Sequence, residues 1–278
     1  MKMKKTLIAL AVAISAVSGA AHAWTTGDFN DSFEINGTIT AEQYNDKWEW
    51  MVGDGLSFQN TIKDMTEDGK ILTITQDKPT PILLGRTKEA FAAPTSGVGA
   101  IPLISFSDYE NQPVDLESTG ESNKGFFNLP MTDGEGNKLG DVKVNVTAAG
   151  LLSYSEKKTN LVGVASVISN ENAKIYNGGL VSSVTSSGHV ASGLVEKFGN
   201  YNHSALLSQL KKVYPDLGKQ VSQVYAKSTD MVNTNGDVMA SSYALGIDQG
   251  QTIEATFTNP VTTTTQWSAP LNVAVTYN

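Results

Sequence analysis

Short alternating or apolar segments recur over both ends of this chain, and turn-forming residues separate them. Trp48-Glu49-Trp50-Met51-Val52 stops at Gly53-Asp54-Gly55, and Ile71-Leu72-Thr73-Ile74-Thr75 follows Asp68-Gly69. Ile82-Leu83-Leu84 ends at Gly85, and Leu103-Ile104-Ser105-Phe106 ends at Asp108. The cluster Asp133 to Asn137 precedes Val142-Lys143-Val144-Asn145-Val146-Thr147. Gln251 to Phe257 and Leu271 to Tyr277 repeat the pattern near the terminus. A period of two puts successive side chains on opposite faces of a strand, so each segment has one face for a core. Many short strands divided by Gly, Asp and Asn predict a sandwich or barrel.

The middle reads differently. From Leu151 to about Lys227 the alternation loosens. Ser204 to Tyr214 has apolar residues at helical spacing, with Ser204 as N-cap and Pro215 as stop. Val221, Val224 and Tyr225 suggest a further helical turn or two, while Gly178-Gly179, Ser186-Ser187-Gly188 and Ser192-Gly193 mark loops. The expectation is a partly helical insertion, about residues 151–230, on a β scaffold. Such an insertion costs little loop entropy and often carries recognition.

The first residues read as an address. Lys2, Lys4 and Lys5 precede an apolar run from Leu7 to Val17, and Ala21-His22-Ala23 has the small-x-small form of a cleavage site. Residues 1–23 are therefore expected to be a secretory signal, removed before Trp24. Losing 23 of 278 residues leaves 255, and losing three lysines takes the formal charge from −8 to −11. That charge argues against nucleic acid or anionic lipid as partners. There is no cysteine, so an exported chain of this kind is stabilised by a large core or by association.

Two terminal strands stand out. In Phe29 to Ile39, the residues Phe29, Phe33, Ile35 and Ile39 share a face, Gly37 continues it without a side chain, and Asp31 interrupts it. This strand lies at the extreme mature N-terminus, within residues 24–41, where it can reach away from its own body. At the other end Leu271, Val273, Val275 and Tyr277 share a face of a strand that ends one residue from the carboxylate. A terminal strand without partners on both sides is an adhesive edge.

Chemistry finds little support. His189 and His203 lie fourteen residues apart, which is no recognised metal spacing. Ser155-Glu156-Lys157-Lys158 and Ser208-Gln209-Leu210-Lys211 match a bare Ser-x-x-Lys, without the Lys-Thr-Gly partner. Asp133 to Asn137 lacks a complete calcium-loop pattern. The Asn-x-Ser/Thr matches at Asn36, Asn145 and Asn202 would mean little if the source were bacterial. No catalytic residue, metal or cofactor is expected.

Several blocks carry a family resemblance: Trp24 to Phe29, Lys47-Trp48-Glu49-Trp50, Lys78-Pro79, Pro81 to Phe91, and Gly246 to Tyr277, including Gln266 to Leu271. In these the chain is similar to the major fimbrial subunits of the chaperone–usher pathway, the FaeG and ClpG group. The likeness covers both ends of the mature chain and fades between about Leu151 and Asp230.

The resemblance implies an incomplete immunoglobulin-like β-sandwich over residues 42–278, one strand short. A periplasmic chaperone would fill the gap along the C-terminal strand. At the outer-membrane usher, residues 29–39 of the next subunit would replace it, giving a homopolymer at the cell surface. Phe29, Phe33, Ile35, Gly37 and Ile39 would then be donor positions, and Leu271, Val273, Val275 and Tyr277 the acceptor edge. It also implies adhesion, with host glycoconjugates as partners. Tyr154, Lys174, Tyr176-Asn177 and Tyr201-Asn202 are the aromatic and polar groups on offer, and none is assigned to a sugar. The competing expectation is a monomeric secreted β-rich carbohydrate-binding protein whose N-terminal strand pairs with its own sheet.

Overall fold

The computed structural model describes residues 37–278 apart from 170, 172, 219, 220, 224 and 225, with residues 221–223 described through their backbone alone. The chain divides into two units, Met1–Thr40 and Ala41–Asn278, and the second holds every element named below. It opens with β1 (Trp48–Val52), β2 (Met65–Thr66), β3 (Ile71–Thr75), β4 (Thr80–Thr87) and β5 (Pro102–Ser107). The short strands β6 (Pro113–Val114) and β7 (Glu117–Ser118) lead to β8 (Lys124–Thr132), β9 (Lys138–Glu156) and β10 (Leu161–Ser166). Helices α1 (Gly188–Lys197) and α2 (His203–Val213) come next. The chain closes with β11 (Val221–Gln223), β12 (Met239–Ile247), β13 (Thr252–Phe257) and β14 (Asn272–Tyr277).

Two sheets result, and the protein is mostly β. The larger has the order β1-β4-β12-β9-β13-β3-β2, and the smaller is β14-β5-β6. Strand β9 is the spine of the larger sheet. Its first half lies between β8 and β13, and its second half between β12 and β10. One strand serving two sets of neighbours curls the sheet, as strand twist accumulates along its 19 residues. The smaller sheet packs against the larger through β5. Phe106 of β5 meets Phe127 of β8 with ring centroids 4.8 Å apart, and the Trp48 indole donates to the Ala100 carbonyl at 3.1 Å. This sandwich core is consistent with an immunoglobulin-like fold.

A second core lies on the other face of the larger sheet. There Ala191 and Val195 of α1, with Leu206 and Leu210 of α2, cover Leu151, Val162, Val164 and Ala244. Two buried amides fasten this layer. Gln209 donates to the Thr87 carbonyl and accepts from the Thr87 hydroxyl, both at 2.7 Å. Asn200 donates to the carbonyls of Gly85 and Tyr243 at 2.9 and 2.8 Å.

Several local expectations change. Gly188 to Gly193, expected as loop, is the start of helix α1, while Ser186 and Ser187 stay outside it. Ser187 caps it by accepting from Val190, and a Cβ on Gly188 would come within 2.8 Å of the Ala165 nitrogen. Close packing of Ala191 and Val195 outweighs poor helix propensity there. The cap of α2 is Asn202, whose side chain accepts from Ala205, not Ser204. Val221 to Gln223 is a strand parallel to β10, not a helical turn. Strand β9 runs on to Glu156, past the point where alternation fades. Strand β12 gave no alternating signal because all nine of its residues are buried, so neither face asks for polar groups.

Candidate functional site

A groove of about 1580 Å³ opens beside the sandwich core. Leu72, Leu129, Val142, Ile253 and Phe257 line its base, and all five belong to the main hydrophobic cluster. One wall is the chain from Val52 to Ile62 and the other the chain from Val261 to Leu271. The base is apolar because β3, β8, β9 and β13 turn one alternate face toward it. The walls supply Asp54, Asn60, Thr262 to Thr265 and Gln266. An apolar base under polar walls suits an extended segment whose alternate side chains point inward.

Edge strands lie near this groove. Strand β14 is hydrogen-bonded to β5, and β1 to β4, each along one side only among the described residues. Met51 and Val52 on β1 are exposed. The two edges meet where the Trp50 indole N–H donates to the Tyr277 hydroxyl at 2.8 Å. Burial pushes the Tyr277 phenol above its ordinary value, while that bond acts in the opposite direction. Trp50 lies across Gly85, where a Cβ would fall 2.2 Å from a ring carbon, so only glycine fits. Beside it Glu49 pairs with Arg86, and Lys47 with Glu89 at 2.6 Å. The Lys47–Trp50 and Gly85–Phe91 blocks therefore meet across one register, Glu49 facing Arg86.

The expected terminal-strand residues fall as follows. Phe29, Phe33 and Ile35, and the expected leader, lie outside the described residues. Ile39 is 99% exposed, and a Cβ on Gly37 would meet nothing within 4 Å. Leu271 lines the groove, whereas Val273, Val275 and Tyr277 run along β14, half-buried on one face against the core. Sequence reading missed the groove base itself. Val142, Val144, Ile253 and Phe257 were legible as strand faces, but not as faces of one groove.

The other singled-out residues have ordinary partners. Ser208 donates to the Ser204 carbonyl, and Ser155 pairs with Asp237. Asp133 accepts from the Asn137 side-chain amide at 2.9 Å and from the backbone amides of Asn137 and Glu135 at 2.8 and 2.9 Å, which together hold its carboxyl below the usual range and close a hairpin. Tyr176 is buried and donates to Ser241, and Lys174 pairs with Asp230. Tyr154 lies under Lys227 and Tyr201 under Arg86. Among the described residues no group of three or more metal-ligating side chains gathers.

A cysteine-free sandwich with open-edged strands beside an apolar groove fits a subunit made for assembly, and the class is that of structural fimbrial subunits. The chain belongs to the K88 fimbrial family, described as fimbrial major and minor subunits, whose pattern matches residues 3–278. It is 50% identical to K88 fimbrial protein AB of Escherichia coli and 49% identical to K88 fimbrial protein AD, over 99% of this chain and the full length of each relative. F41 fimbrial protein of Escherichia coli is 25% identical over the same share. The protein is a major fimbrial subunit, structural and non-enzymatic, with a role in adhesion as part of a fimbrium at the cell surface.

Proposed function

We propose that the subunit polymerises by donor-strand exchange. Residues 29–39 of one copy, carried on the 24–41 extension, lie in the groove of the next and pair with its open edge. Phe29, Phe33, Ile35 and Ile39 face the base, and Gly37 sits where the groove is shallow. Before assembly the signal 1–23 directs export to the periplasm, where a chaperone holds Leu271, Val273, Val275 and Tyr277 until the usher exchanges it for the next subunit. Donation of this kind is heterologous and does not close, so it yields a filament. The observation that carries this reading is the apolar base of the groove, ringed by polar walls beside an edge strand paired on one side.

Deletion of residues 24–40 tests it. The truncated chain, co-expressed with the chaperone, is expected to be captured and to form no polymer. Filaments from the truncated chain overturn the proposal. Ile35→Asp is expected to block subunit joining and spare chaperone capture, read by pull-down with each partner.

The inserted 151–230 region is proposed to face the host surface and bind glycoconjugates. A small cavity of about 210 Å³ there brings Tyr214, Asn160, Asp216 and Lys157 together. An aromatic ring beside an amide and charges suits a sugar. Weak sites repeated along a filament gain avidity. Glycan-array binding by assembled filaments, lost in Asn160→Ala, tests this.

A further inference from the structure

The two histidines of the exported chain, far apart in sequence, come together in the helix layer. His189 is in the first turn of α1, and His203 is the first residue of α2. Their rings stand edge to face, centroids 6.1 Å apart. The start of α2 abuts the α1 stripe of His189, Ser192 and Glu196: the His203 amide donates to Ser192 Oγ at 2.9 Å, and Asn202 Nδ2 to Glu196 Oε1 at 2.8 Å. From below, Ser153 of β9 meets His203 Nδ1 at 3.3 Å.

Protonation is disfavoured at this junction for three separate reasons. His203 is half-buried, and the sheet positions flanking Ser153 are Val164 and Ala240, both apolar. A second imidazole stands close by. His203 also sits in the first turn of α2, where the positive end of the macrodipole opposes a cation. The charged groups facing the junction offer little relief. Glu196 is held by Asn202, and Asp237, just before β12, by Ser155 Oγ further along β9 and by the Lys157 amide. Lys211 and Lys212 lie in the last turn of α2, away from it. Among the described residues no ion pair includes either imidazole.

We infer that the His189–His203 junction is an acid-sensitive latch, by which protonation of His203 beside the His189 ring loosens the α1–α2 layer from the sheet while the sandwich keeps its fold. Burial first, then His189, holds the His203 pKa below its ordinary value. The folded state thus binds fewer protons than the unfolded one. The latch is fully closed above about pH 6.5 and weakens as the pH falls toward the lowered value. The middle of α2 stays pinned by Gln209 on Thr87, so opening starts at the histidine end.

Hydrogen exchange on native filaments of the full chain tests the inference, comparing amides of 188–213 with those of β12 as an internal reference at about pH 7.5 and about pH 5. The helix amides are expected to lose about tenfold in protection relative to β12, His203→Gln to abolish most of that loss and His189→Gln to reduce it. His189 is exposed, so its variant folds even if the other does not. No relative loss in the wild type, or a loss of equal size in His189→Gln, overturns the inference.

Discussion

Trp50 and Tyr277, 227 residues apart in sequence, are joined by an indole-to-phenol hydrogen bond of 2.8 Å. The bond ties the first strand of the sandwich to the last, each an edge of its own sheet. Tyr277→Phe leaves the half-buried indole N–H without this partner. The expected cost is about 1 kcal/mol, read as a lower denaturation midpoint of the chaperone-bound or filament form, with the fold intact by circular dichroism.

Gly85→Ala tests the contact beneath that bond. The new methyl would overlap the Trp50 ring, and backbone pairing between β1 and β4 leaves the ring little room to withdraw. Overpacking of this kind costs about 1–3 kcal/mol. The variant is expected to give a lower yield of folded subunit, measured by protease resistance after export.

Val144→Asp places a carboxylate on the lining of the groove while keeping the β-strand register. Covering that charge with an apolar donor strand carries a desolvation cost of several kcal/mol. The expected outcome is at least about a tenfold loss of filament, equivalent to about 1.4 kcal/mol, with soluble subunit retained. Electron microscopy and quantification of sheared filaments check it.

Gln209→Ala removes both hydrogen bonds that fasten α2 to Thr87 and leaves a buried carbonyl without that donor. An unsatisfied buried group costs about 1–3 kcal/mol. Because the loss is local, faster hydrogen exchange is expected in 203–213 and not in β8 or β13. A uniform change across the sandwich would contradict the helix layer's independence.

The class of fold and most strands were legible along the chain alone, because alternation is a local consequence of a half-buried pleated surface. It showed in Val142 to Thr147, Gln251 to Phe257 and Leu271 to Tyr277 without knowledge of any partner. The Lys47–Trp50 and Gly85–Phe91 blocks were legible as a family signature, though their meeting across one register was not. What each apolar face covers was settled by the three-dimensional packing. It joined Leu72, Leu129, Val142 and Phe257 into one groove base, made a helix of a glycine- and serine-rich stretch through burial of Ala191 and Val195, and hid β12 from pattern reading by burying both its faces. It also brought His189 to His203. These outcomes depend on contacts between residues distant along the chain, which no local periodicity encodes.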